Sequence, residues 1–273
     1  MREQYTTPSG IVVARTLSKI PYQKGLAAVL RRLDKQRGIY LSSGYEYPGR
    51  YSRWDVAAAA PPLEIIAAGR EVVFRALSER GKNLLKILRP VLEPHPHWSR
   101  FAAEEDSING TLKPLGELFS EEERSKQPSA FSMLRALLAE FQHPLASRLG
   151  LVGAFGYDLV LQFDPIELKL PRSGVKDLHL LWCDEIYFMD RKKEAIERYQ
   201  FDFTSGDVST VGMARTSGRL SKPRKRKPGP IVSDHTEAEY VAGVEKVRDR
   251  MRQGDYYEVT GDGTASIYWL PRN

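Results

Sequence analysis

The chemistry-bearing side chains of this sequence are dispersed. Its five histidines are His95, His97, His143, His179 and His235, and none has a partner at metal-ligand or acid–base spacing. His95-Pro96-His97 reads as a surface turn. Cys183 is the single cysteine, so an internal disulfide or a cysteine cage for a metal is excluded. Lying in an apolar strand region with no histidine near it in sequence, it reads as inert core. Gly150, Gly153 and Gly156 in GLVGAFGYD echo a phosphate loop, but the Lys-Ser/Thr signature and a following helix are both missing. Glycines so placed fit a strand that passes close to another element. The run Lys222-Pro223-Arg224-Lys225-Arg226-Lys227 would suit a phosphate backbone electrostatically. No aromatic is interleaved with it, and it reads as a solvated linker. The densest segment is LSSGYEYPGRYSRWD, residues 41–55, with four aromatics, two arginines and two acids. Tyr47-Pro48-Gly49-Arg50 has turn chemistry. Ser42 and Ser43, at a strand end and followed by Gly44, can offer hydroxyls and backbone N–H groups to a small polar ligand. The alternative is a structured loop whose arginines stack on its tyrosines.

The elements that must hold these residues are partly legible. Leu26, Val29, Leu30 and Leu33 fall on one stripe and predict a helix over 23–36, with Gly38 just beyond it. Phe131, Leu134, Leu138 and Phe141 predict another over 130–141. The helix at 237–253 has a capping box, Thr236 with Glu239, then Tyr240, Val244, Val247 and Met251 on one face and Gly254 as its stop. Strands are expected at Ile11–Thr16, Ile39–Ser43, Glu64–Ala68 and Val72–Leu77. A hairpin over 185–190 and 195–203 turns at Arg191-Lys192-Lys193, and on its second arm Tyr199, Phe201 and Phe203 alternate with polar residues. The proline-broken stretch from Glu93 to Gln127 reads as loops with short helical turns. Strands that cluster instead of alternating with helices predict an α+β fold with a largely antiparallel sheet.

Composition narrows the class. The balance of 41% hydrophobic and 28% charged residues over 273 positions suits a globular chain. No run approaches the ~18 apolar residues of a membrane helix. The first ten residues lack the apolar stretch of a signal peptide, and the lone cysteine points to a reducing compartment, the cytoplasm. The net charge of +6 is local. Seven of the 41 cations lie between Asp207 and Asp234, a window without an acid, and the rest nearly balance the 35 acids. This window is rich in Gly, Pro and Ser, so polyanion binding through residues 215–227 is a minor reading beside a linker.

Taken in order, LSSGYEYPGRYSRWD, PSAFSMLRALLAEF at 128–141, GLVGAFGYDLVLQFDPI at 150–166, DLHLLWCDEIYFMDRKKE at 177–194 and SDHTEAEYVAGVEKVRDRMRQGDYYEV at 233–259 resemble the large component of anthranilate synthase. The likeness is closest to the form fused to its glutaminase. It implies an incomplete α/β sandwich of largely antiparallel sheet with outer helices, divided into an N-terminal regulatory domain over 1–204, a basic linker over 205–232 and the start of a chorismate-binding catalytic domain over 233–259. Residues 260–273 resemble nothing in the family. The family converts chorismate and ammonia to anthranilate and pyruvate with Mg2+, takes its ammonia from a glutamine amidotransferase subunit or domain, and is inhibited by tryptophan. The family's effector motif, a strand end of the type Leu-Glu-Ser, falls on Leu41, Ser42 and Ser43, with serine in place of the central Glu. The family's catalytic acids and Mg2+ ligands lie beyond Val259, so the resemblance carries no catalytic or metal residue onto this chain. The chain is expected to be inactive alone, a tryptophan-binding regulatory module being the alternative.

Overall fold

A computed structural model describes residues 1–42, 53–116, 121–163, 174–217 and 235–255. The chain divides into two compact units, Met1–Ser221 and Lys222–Asn273.

The first unit is built on two antiparallel sheets. The first sheet takes β1 (Arg2–Thr6), β2 (Val12–Pro21), β3 (Gly38–Leu41), β4 (Trp54–Ala59), β11 (Glu185–Asp190) and β12 (Ala195–Ser205), in the order β1-β2-β12-β11-β4-β3. A two-residue strand, β13 (Val208–Ser209), folds back on β12. The second sheet takes β5 (Leu63–Ala68), β6 (Glu71–Ala76), β7 (Trp98–Ala103), β8 (Ser107–Leu112), β9 (Gly150–Phe155) and β10 (Leu178–Cys183), in the order β7-β8-β6-β5-β10-β9. The expected α+β class with largely antiparallel sheet is therefore what forms.

Strand alternation decides what each sheet face buries. On the first sheet Tyr187, Met189, Ile196 and Ala57 point one way and are covered by α1 (Tyr22–Leu33) through Val29, with Leu26 and Leu33 beside it. Ile186, Phe201 and Phe203 point the other way, into the main core. There they meet the inner row of the second sheet, which includes Ile65, Phe74, Ile108 and Leu180, and two helices, α2 (Glu79–Leu92) and α3 (Ala130–Glu140). Phe141, Trp182 and Phe203 close the centre as mutually edge-on rings, centroids 5.2–5.9 Å apart.

Three expectations are corrected. Residues 98–112, expected as loops, form the β7–β8 hairpin. Its signal is hidden because Gly110 stands where a strand would carry a side chain, and a Cβ there would lie 2.4 Å from the Trp98 ring. Second, α2 is absent from the helices that periodicity predicts. Its apolar ridge of Leu84, Leu88 and Leu92 repeats every four residues, but Gly81 and an internal Pro90 obscure it. Ser78 caps it, accepting from the Gly81 N–H at 3.3 Å. Third, the body does not give way to linker at Ser205. The segment beyond β12 packs onto it: Thr210 and Ser217 are buried, and Arg215 is ion-paired to Asp184 and Asp202 at 2.7 and 3.0 Å. The side chains of Asn83 and Arg80 in α2 hold the Ser209 and Thr210 carbonyls. Arg215 is thus already committed within the fold, and the cations of 219–227 lie outside the described residues.

In the second unit, α4 (Glu237–Arg252) has the expected capping box: the Thr236 hydroxyl accepts from the Glu239 N–H at 3.3 Å, and the Glu239 carboxylate accepts from the Thr236 N–H at 2.7 Å. The helix stops at Gly254, whose φ of +83° favours glycine.

Candidate functional site

The strand end singled out in the sequence is organised by a buried carboxylate. β3 pairs with β4 so that Tyr40 stands opposite Ala57 and Leu41 opposite Val56. One residue beyond β3, the Ser42 Oγ accepts a hydrogen bond from the Arg191 guanidinium. Arg191 sits in the turn between β11 and β12, and its backbone N–H bonds the Arg53 carbonyl at 2.9 Å. Its side chain is held by Asp55 of β4, with Nε 2.8 Å from Oδ2 and Nη2 2.8 Å from Oδ1. Asp55 is buried and also accepts from the Tyr40 hydroxyl at 2.9 Å. Burial and that bond raise the Tyr40 phenol above its ordinary range, so it stays a donor at neutral pH. A second pair runs alongside. The Arg53 guanidinium bonds the Asp190 carboxylate at 2.8 Å and lies over the Trp54 ring at 4.8 Å. Asp190 in turn accepts from the Lys192 and Lys193 N–H groups, closing the hairpin turn.

This geometry sets the Ser42 hydroxyl between the Arg191 guanidinium and the Tyr40 phenol. A carboxylate arriving here would meet a hydroxyl and a guanidinium together. Of the three predicted effector residues, Leu41 is exposed at the strand end and Ser42 joins this network, while Ser43 lies outside the described residues. Asp55 and Arg191 are site residues that the sequence does not single out. Asp55 stands at a strand start behind an aromatic-rich loop, and only the pairing of β4 with β11 brings the hairpin turn to it.

A second cluster lies on the outer face of the second sheet. Register places Glu64 of β5 opposite Arg75 of β6 on one side and Leu181 of β10 on the other, with His179 one diagonal away. The Glu64 carboxylate is 2% exposed. It accepts from Arg37 at 2.7 Å and Arg75 at 3.1 Å, and it meets His179 Nε2 at 2.9 Å. Burial opposes its charge. The bond to His179 and the charges of Arg37, His179 and Arg75 outweigh that and hold the carboxyl below the usual glutamate range. Its folded value lies under its unfolded one, so it contributes stability above the ordinary glutamate range and loses that contribution as pH falls through the folded value. The expected result is a steeper acid loss of urea midpoint below about pH 4.3 in the native chain than in Glu64→Gln. Superimposable acid limbs for the two proteins would overturn this.

The remaining candidate residues serve the fold. Cys183 is buried at the end of β10 and its thiol is pushed up to about 12, mainly by burial, which keeps it protonated and inert. The Gly150–Phe155 stretch is an edge strand followed by a short 3₁₀ turn at Tyr157–Gln162, not a phosphate loop before an α-helix. His97 Nδ1 meets the Ser132 hydroxyl at 2.9 Å, and the buried Ser132 is part of the α3 capping box, so the pair is structural. Among the described residues no three His, Cys, Asp or Glu side chains converge as metal ligands. The buried carboxylates of Asp55, Glu64, Asp184 and Glu185 are each held by arginine. They do not fit Mg2+, which needs several free oxygens.

The class defined by this architecture is an α+β body of two antiparallel sheets whose strand-end serine is fixed by an arginine held on a buried aspartate. The chain belongs to the chorismate binding enzyme family, which it matches over residues 97–261. It is 33% identical over 257 residues to an anthranilate synthase of Azospirillum brasilense, a match covering 94% of this chain and 35% of that protein. It is 22% identical to anthranilate synthase component 1 of Haemophilus influenzae, with 90% and 49% covered. To component 1 of Vibrio cholerae it is 21% identical, with 90% and 47% covered. The chain thus spans about a third to a half of the length of these curated relatives. Among the described residues no helix is long and apolar enough to cross a membrane.

Proposed function

We propose that this chain is the N-terminal, effector-binding portion of an anthranilate synthase large component, a cytoplasmic lyase of tryptophan biosynthesis. In the complete assembly, chorismate is the substrate, Mg2+ the cofactor, and a glutamine amidotransferase subunit or domain the source of ammonia. The regulatory part includes the ordered segment beyond Ser205, through residue 217, and 233–259 continue the chorismate-binding match that begins at residue 97. The observation that carries this reading is the collinear likeness to anthranilate synthases over 94% of the chain. Among the described residues no three His, Cys, Asp or Glu side chains converge as a metal site, and elimination of pyruvate requires a proton donor or acceptor within hydrogen-bond reach of the substrate. On this reading the chain alone has no catalytic turnover.

A second reading, a tryptophan-binding regulatory module, is favoured by Ser42 lying against Arg191, a hydroxyl and a guanidinium suited to an amino-acid carboxylate. One preparation tests both. With chorismate, ammonium and Mg2+, anthranilate fluorescence is expected to stay at the no-protein baseline, and turnover above it would refute the inactive assignment. Titrated with L-tryptophan in a calorimeter, the native chain is expected to release heat and Ser43→Ala to bind several-fold more weakly, as for loss of one hydrogen bond. Equal isotherms would remove Ser43 from the effector motif.

A further inference from the structure

The cluster around Glu64 opens onto a cleft of about 610 Å³. One wall is the far edge of β3 at Gly38, Ile39 and Tyr40, with Leu33, Gln36 and Arg37 leading into it; the other is the outer face of the second sheet. Three features converge on it. Its lining holds three permanent cations, Arg37, Arg75 and Lys176, against one carboxylate, Glu64. Glu64 satisfies only part of the two guanidiniums: each gives it one Nη1, and they remain 45% and 51% exposed. An arginine carries five donors, so most of theirs are left for another acceptor. Finally, Gln36 lines the same cleft, and its Oε1 is buried with no hydrogen-bond partner among the described residues. A buried acceptor without a donor is unfavourable, and a ligand N–H or O–H that reached it would recover it. Leu33, Ile39 and Leu181 supply apolar walls between these groups.

We propose that this cleft binds a small organic carboxylate bearing a hydroxyl or amine donor, its anion on Arg37 and Arg75 and its donor on Gln36 Oε1. Glu64 acts as a positioning residue, holding both guanidiniums in place. The cleft shares Tyr40 with the Ser42–Arg191 strand end, but the proposal does not depend on the effector reading of that end.

The test is calorimetry on the 273-residue chain with three probes: 4-hydroxybenzoate, benzoate, which lacks the donor, and phenol, which lacks the charge. The expected order of affinity is 4-hydroxybenzoate, then benzoate, with phenol silent. Arg75→Gln, a change at a half-exposed side chain checked for folding by circular dichroism, should weaken both acids by roughly tenfold, as for one charge-assisted hydrogen bond. Gln36→Leu should leave benzoate unchanged and bring 4-hydroxybenzoate down to it, a pattern that mere loosening of the fold would not produce. Phenol binding as tightly as the acids, or Arg75→Gln binding like the native chain, would overturn the proposal. A chain that binds 4-hydroxybenzoate but not tryptophan would sink the effector reading and leave this one standing.

Discussion

Arg80→Leu is expected to cost about 3–5 kcal/mol of folding stability, the cost of stranding a buried charge. Arg80 lies in the first turn of α2 and is 2% exposed. Its Nε bonds the Asp184 carboxylate, which is 1% exposed, its Nη1 the Thr210 carbonyl, and its Nη2 the Phe201 carbonyl at 2.7 Å and Asp202 at 2.9 Å. Arg215 repeats part of the pattern from the opposite side, bonding Asp184, Phe201 and Asp202 at 2.7–3.1 Å. Burial pushes the Asp184 carboxyl upward, against the pull of Arg215 and Arg80. Leucine fills much of the volume but answers none of these acceptors. One cation would remain for Asp184, and two carbonyls would lose donors. Against a typical total of 5–15 kcal/mol, the loss is large. Urea unfolding followed by tryptophan fluorescence reads it as a fall in midpoint, with Lys82→Ala, an exposed bridge to Glu79 and Glu105, as a control expected to change little. Adding Asp184→Asn to Arg80→Leu should recover part of the loss by removing the stranded charge. A single Arg80→Leu chain with the native midpoint would show that the network is not holding the two sheets and the 205–217 segment together.

That network marks where the sequence stops being readable. Local signals decide α1, α3 and the β11–β12 hairpin, because each shows its buried side as a period: every third or fourth residue in Leu26, Val29 and Leu33, every second in Tyr199, Phe201 and Phe203; α4, which buries none of its residues, is marked by its capping box. α2 carries such a period too, yet the residues that begin it answer to tertiary partners. Gly81 is there because a Cβ would lie 2.1 Å from the Pro62 carbonyl, and Arg80 because two acids and two carbonyls wait for it inside the core. A polar, glycine-containing start conceals a helix that packing makes favourable. The 205–217 segment shows the same effect in reverse. Its composition is that of a linker, and what orders it is a few specific bonds from α2 and to Asp184, which composition cannot register.

The strand-end site divides along the same line. Ser42 is visible in the sequence as a hydroxyl at the end of a β-run. The charge that fixes it is not, because Arg191 is 149 residues away and becomes a neighbour only through the pairing of β4 with β11. Asp55 and Arg191 form one unit with Ser42, and long-range register, not local pattern, assembles it. The Glu64 cleft is of the same kind: Arg37 follows α1, Arg75 comes from β6, His179 from β10. Sites made by sheet register are invisible to any window of ten residues.

Gly153→Ala tests the one glycine reading that the sequence does settle. Gly153 of β9 stands opposite Leu180 of β10, and a Cβ built on it would lie 2.1 Å from the His179 carbonyl oxygen and 2.9 Å from the Leu180 Cα. These are backbone atoms in the next strand, so no side-chain rotation relieves the collision; β9 must move away from β10. Gly150, three residues earlier in the same strand, has nothing within 4 Å of its would-be Cβ. The two alanine variants differ only in this crowding. Gly153→Ala is expected to lower stability by about 1–3 kcal/mol, as overpacking does, and Gly150→Ala to change it little. Because β9 is the edge of its sheet, the damage should be local: amide exchange should speed up across 150–155 and 178–183 while the α2 amides keep their protection. A phosphate-loop role for these glycines would predict otherwise, since alanine at any of them would leave strand exchange unchanged. Equal exchange and equal melting for the two variants would mean that close strand passage is not what Gly153 provides.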